Sequence, residues 1–60
     1  MNENTTKLIS DGLYWETKGD KERAIKLYEL ATHRRDLVQS EKDKLFKLIA
    51  RLKKEVKDDR

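Results

Sequence analysis

Residues 12–31, GLYWETKGDKERAIKLYELA, decide the fold, because they read as one helix, a turn at Gly19-Asp20 and a second helix folded back on the first. Gly12, Trp15, Gly19, Ala24, Tyr28 and Ala31 alternate small and aromatic residues at spacings of three, four and seven about that turn. Two closely crossing helices need this pattern, since a small residue on one admits a ring from the other. Lys18 falls in a last turn, where a cation suits the helix dipole, and Gly19 supplies the left-handed residue beyond the end. Asp20 is a good N-cap for the next helix, with Glu22 in its first turn and Lys26 four residues later. So short a connection makes the two helices antiparallel neighbours, with Trp15 and Tyr28 as the expected central pair.

Outward from this hairpin the chain carries two further helical segments, giving expected helices at about 5–18, 20–35 and 41–57 in a single domain, residues 1–60. Asn4 or Thr5 is placed to cap the first, whose inner face holds Leu8, Gly12 and Trp15 with Ile9 and Leu13 beside them. The second is expected to bury Ala24, Leu27, Tyr28 and Ala31, with Ile25 and Leu30 on its flanks. Ser40 with Asp43 three residues on is a capping-box variant just before the apolar run Leu45, Leu48, Ile49, Leu52 and Val56, which predicts a break near residues 35–40. The alternative is one continuous helix. Ala24, Tyr28, Ala31, Val38, Leu45, Ile49, Leu52 and Val56 share a heptad seam interrupted only by Arg35 and Lys42, and a helix from Asp20 onward of about 57 Å would pair as a coiled coil. Two long cations on the seam favour the break. The expected class is all-α: an antiparallel hairpin plus a third helix, a small three-helix bundle open to dimerisation.

The small and aromatic positions of the hairpin resemble the tetratricopeptide repeat, whose pattern is matched at Gly12, Trp15, Gly19-Asp20, Ala24-Ile25, Tyr28 and Ala31. Asp11 and Lys21 stand where that family has apolar residues and the closing proline is absent, as in a divergent or solitary repeat. The segment RAIKLYELA, residues 23–31, is also similar to the second helix of the microtubule interacting and trafficking domain, a three-helix bundle. Both resemblances imply a helical module that binds other proteins.

Length and composition bound the rest. A chain of 60 residues with 45% charged side chains buries only about 60% of the surface its unfolded form exposes, so a partner chain is the expected source of further stability. With no Cys there is neither a disulfide nor a thiolate metal site. The start MNENTTK lacks the apolar run of a signal peptide and no stretch approaches the length of a membrane span, so the expectation is a cytoplasmic protein. Zero Pro, two Gly and apolar residues phased at helical spacing argue for helices rather than disorder.

Charge is uneven. Residues 1–30 carry five Lys or Arg against six Asp or Glu, and residues 31–60 ten against six, for net charges of −1 and +4. Lys44, Lys47, Arg51 and Lys54 form a cationic row at spacings of three and four, a candidate nucleic-acid-binding face whose plainer reading is a solvated helix surface. Catalytic chemistry has no foothold. His33 lacks a His or Cys partner, the pairs Asp11 with Glu16 and Asp58 with Asp59 lack a third ligand or a base, and there is no phosphate-binding Gly loop, so no enzyme activity, cofactor or metal is expected. Leu13, Tyr14, Leu30 and Phe46 exceed what so small a core can cover and are the candidate partner-binding residues. Three function classes follow. The favoured one is a small protein–protein interaction module, an adaptor or regulator binding a partner helix or its own copy. Its alternatives are a nucleic-acid-binding regulator using the basic face, and a membrane-surface protein laying Leu45, Phe46 and Ile49 on anionic lipid.

Overall fold

A computed structural model describes residues 3–58, which form α1 (Glu3–Thr17), α2 (Lys21–Thr32) and α3 (Gln39–Asp58), with no strand among the described residues. α1 and α3 both pack on α2 and meet each other only through side chains, so α2 is the spine of an open three-helix bundle measuring 35 × 19 × 13 Å. No helix among the described residues is long and apolar enough to cross a membrane.

The turn between α1 and α2 is built from local signals. Asp20 N–H donates to the Trp15 carbonyl at 2.9 Å and Gly19 N–H to that of Glu16 at 3.1 Å, a Schellman closure that requires the left-handed φ of 88° at Gly19. The Asp20 carboxylate then accepts from Arg23 N–H at 3.1 Å and starts α2.

Gly12 lies against the ring of Tyr28, which is fully buried. A Cβ on Gly12 would stand 2.6 Å from Cε1 and 2.8 Å from Cδ1 of that ring, so only glycine permits this helix approach. The expected Trp15–Tyr28 pair does not form the centre. Tyr28 fills the crossing alone, whereas half-buried Trp15 packs from the flank and meets Tyr14 edge-on, with centroids 5.1 Å apart. Leu27, expected inside, is likewise only half-buried.

The chain breaks between α2 and α3, at 33–38, which rules out the continuous helix. Continued helically, Leu37 would point about 120° away from Ala31. By turning, the chain brings Leu37 into the core, where it is 5% exposed beside Ile25, Leu45, Ile49 and Leu52. Thr5 fastens the same loop: its hydroxyl donates to Asp36 Oδ1 at 2.8 Å and accepts from Arg34 Nε at 3.3 Å. Thr5 is therefore a buried interior residue of α1 rather than its cap, and Asn4 too lies inside the helix. The expected capping role of Ser40 is absent as well. α3 begins at Gln39, whose side chain donates to Asp43 Oδ1 at 2.9 Å, while Lys42 N–H reaches the carbonyl of Val38.

Candidate interaction surfaces

On α3, Arg51 and Lys53 flank buried Leu52 and reach in different directions. Arg51 contacts Glu16 of α1 at 3.3 Å, and Lys53 contacts Glu29 of α2 at 3.3 Å. These two contacts define a front, where α1 and α3 look across at each other, and a back, formed by the outer flanks of α2 and α3.

Leu13, Tyr14, Leu30 and Phe46 are each about half exposed, but they do not form one patch. Leu13 precedes Glu16 by three residues and Ile9 precedes it by seven, which puts both on the front. Phe46 is two turns before Lys53 and lies on the back, as does Leu30, which follows Glu29 on the side of α2 remote from buried Tyr28. Tyr14 belongs to a third cluster at the α1–α2 turn. Lys18 Nζ sits 5.6 Å from its ring centroid, and the Arg23 guanidinium stacks 4.3 Å from that of Trp15.

The cationic row Lys44, Lys47, Arg51 and Lys54 runs along the front edge of α3, on the stripe that Arg51 defines. Two of its four charges are engaged: Arg51 by Glu16, and Lys44 by Glu41 at 3.7 Å. Lys47 and Lys54 form no ion pair with any described residue.

One linkage joins all three helices. The Tyr28 hydroxyl donates to Glu16 Oε1 at 2.9 Å, and Glu16 Oε2 accepts from Arg51 Nη2 at 3.3 Å. Burial, then the hydrogen bond and negative charge of Glu16, raise the Tyr28 hydroxyl above the ordinary tyrosine range, with Arg51 pulling weakly the other way. A sequence signal for this existed, since a Glu four residues after the crossing glycine sits one turn along the ring that the glycine admits. Leu37, to which the sequence reading gave no place, is buried, and Val38, on the seam only in the continuous-helix alternative, is 59% exposed.

His33 lies exposed beside Arg34 in a shallow loop surface, and no group of three His, Cys, Asp or Glu among the described residues is placed to hold a metal ion. No family model, curated protein or solved structure matches the chain.

Proposed function

We propose that the chain is a small helical protein–protein interaction module, an adaptor or regulator whose front receives a partner helix. The observation that carries this reading is the open bundle. α1 and α3 meet through the Glu16–Arg51 side-chain contact rather than by close packing, which leaves half-exposed Leu13 beside partly buried Ile9 on the α1 side of the front and the cationic stripe beside partly buried Leu48 on the α3 side. A helix with an apolar face fits between two such walls, as amphipathic helices lie in grooves elsewhere. The resemblance to tetratricopeptide and microtubule interacting and trafficking modules supports the same class, and a cytoplasmic setting suits it.

The competing nucleic-acid reading asks the same stripe to hold phosphates. Four phosphate contacts on duplex DNA would give a log-log salt slope of about −3 to −4, whereas desolvated apolar anchors resist salt. The test is capture of partners from the native host with three forms: wild type, Leu13→Ser, and Lys47→Glu with Lys54→Glu. The last pair is chosen because neither residue is tied to a carboxylate of the fold. Expected outcomes are loss of the partner with Leu13→Ser, retention with the charge reversal, and duplex or single-stranded nucleic acid binding no tighter than about 10 µM at physiological salt. Submicromolar nucleic-acid binding abolished by the charge reversal would overturn the proposal.

A further inference from the structure

The charges of α3 are sorted by exposure. Gln39–Asp58 carries seven Lys or Arg and four Asp or Glu. Six of the cations are exposed, Lys44, Lys47, Arg51, Lys53, Lys54 and Lys57, against only two of the carboxylates, Asp43 and Asp58, because Glu41 and Glu55 are half-buried at the edge of the helix toward the core. Arg51 and Lys53 reach Glu16 and Glu29 on the other helices and Lys44 reaches Glu41, whereas Lys47, Lys54 and Lys57 form no ion pair with any described residue. Half-exposed Phe46 stands within this face: Lys53 and Lys57 follow it by seven and eleven residues in one row, and Lys47 and Lys54 fill the adjacent row. Leu45 and Ile49, expected to meet lipid together with Phe46, are buried in the core and cannot. α1, by contrast, carries Glu3, Asp11 and Glu16 against Lys7, so the positive charge of the fold is concentrated on α3.

We propose that the outward half of α3 docks on an anionic phospholipid bilayer, with Phe46 entering the headgroup region and the lysines around it meeting lipid phosphates and carboxylates. Charge, shape and residue type together select this occupant. The outward half of a helix is convex, so it gives an acidic protein helix no groove for its apolar residues, whereas a bilayer accepts a lone ring among cations. Five of the six exposed cations are Lys, whose long stems keep the ammonium among the headgroups while a neighbouring ring sinks below them. Reading of nucleic acid rests instead on Arg, Asn or Gln aimed at base edges. Along α3 only Arg51 and Gln39 are of those types, and they are engaged by Glu16 and Asp43. Attraction to an anionic surface falls off within a Debye length, so a flat sheet of lipid reaches the whole row of lysines at once. Leu13 and Ile9 of the front belong to α1 and stay clear of this face, so the docking goes beyond partner binding and does not depend on it.

The test is co-sedimentation of the full chain with vesicles of phosphatidylcholine alone and of phosphatidylcholine with about 30% phosphatidylserine. The expected result is binding to the anionic vesicles only, weakened as salt rises from about 0.1 M to about 0.5 M. Lys47→Glu with Lys54→Glu lowers that binding by at least about thirtyfold, while Lys47→Arg with Lys54→Arg keeps it. Phe46→Ser lowers it about tenfold, the loss of one ring from an apolar setting. All three positions are exposed, so helix content by circular dichroism is expected to survive. Leu13→Ser, which removes the helical partner, leaves vesicle binding unchanged, so the two surfaces fail separately. Equal binding to both kinds of vesicle, no binding to the anionic ones at about 0.1 M salt, anionic binding that Phe46→Ser leaves intact, or tighter binding to polyglutamate or a DNA duplex than to the vesicles would each overturn the proposal.

Discussion

The α1–α2 turn and the α2–α3 connection both reverse the chain, and they do so by unlike means. At the first, every determinant lies within a few residues: the Gly19 left-handed closure, the Asp20 cap, and hydrogen bonds from Asp20 to Trp15 and from Gly19 to Glu16. At the second there is neither Gly nor Pro, and the segment 33–38 is held by residues far away in sequence: Thr5 on Asp36 and Arg34, and Leu37 in a core made by α2 and α3. A turn made of local chemistry is specified before the chain collapses. A turn made of tertiary contacts exists only once its partners are in place.

The sharpest way to break the second turn is Leu37→Ala. Removing a buried leucine typically costs about 2–5 kcal/mol, and here the lost side chain also anchors the connection between α2 and α3 in the core. The expected result is a melting temperature lowered by 10 °C or more on the scale of about 4–8 °C per kcal/mol, with helix content kept or raised as 33–38 becomes free to join α2 and α3. A drop in stability with proportional loss of helix would show that Leu37 contributes packing alone.

This contrast explains which parts were legible in the sequence. The hairpin could be read because Gly12, Gly19, Asp20 and Tyr28 each have a single role that their residue type announces. The break near 35–40 was visible from Arg35 and Lys42 on the seam, but its mechanism was not. The Ser40-to-Asp43 spacing imitates a cap that the structure does not use, and nothing local marks Leu37 rather than Val38 as the inward residue. The candidate contact residues show the same division. Exposure of Leu13, Tyr14, Leu30 and Phe46 follows from their offset from the buried stripes, whereas their distribution over three faces depends on the direction in which α3 lies across α2.

For the first turn's helices the strongest perturbation is Gly12→Leu. Its first side-chain atom already overlaps a buried ring that hydrogen bonding to Glu16 holds in place, so the helices must separate. Overpacking costs about 1–3 kcal/mol against roughly 1 kcal/mol of helix propensity gained, and the contacts under 3 Å place this site toward the upper end. The expected outcome is a net loss of stability, visible in urea unfolding. A raised melting temperature would mean that α1 and α2 do not cross at Gly12.

The smallest effect, and the one that links hairpin to third helix, is Tyr28→Phe. It keeps the ring against Gly12 and removes only the hydroxyl that donates to Glu16, a loss of about 1 kcal/mol at neutral pH, since Arg51 still engages the carboxylate. Its signature is in the pH dependence. The folded chain holds the Tyr28 proton more tightly than the unfolded chain, so the stabilisation is complete below the ordinary tyrosine value near 10 and is lost as pH rises above it toward the raised folded value. Wild-type stability should therefore fall more steeply than that of Tyr28→Phe between pH 9 and 11, by about 1 kcal/mol over that span, because above the ordinary tyrosine value unfolding of the wild type releases a proton that Tyr28→Phe does not carry. Every other ionisable group is common to both chains and cancels in the difference. Parallel curves for the two proteins would show that the hydroxyl reaches water in solution, and that the crossing of α1 on α2 is looser than the buried ring implies.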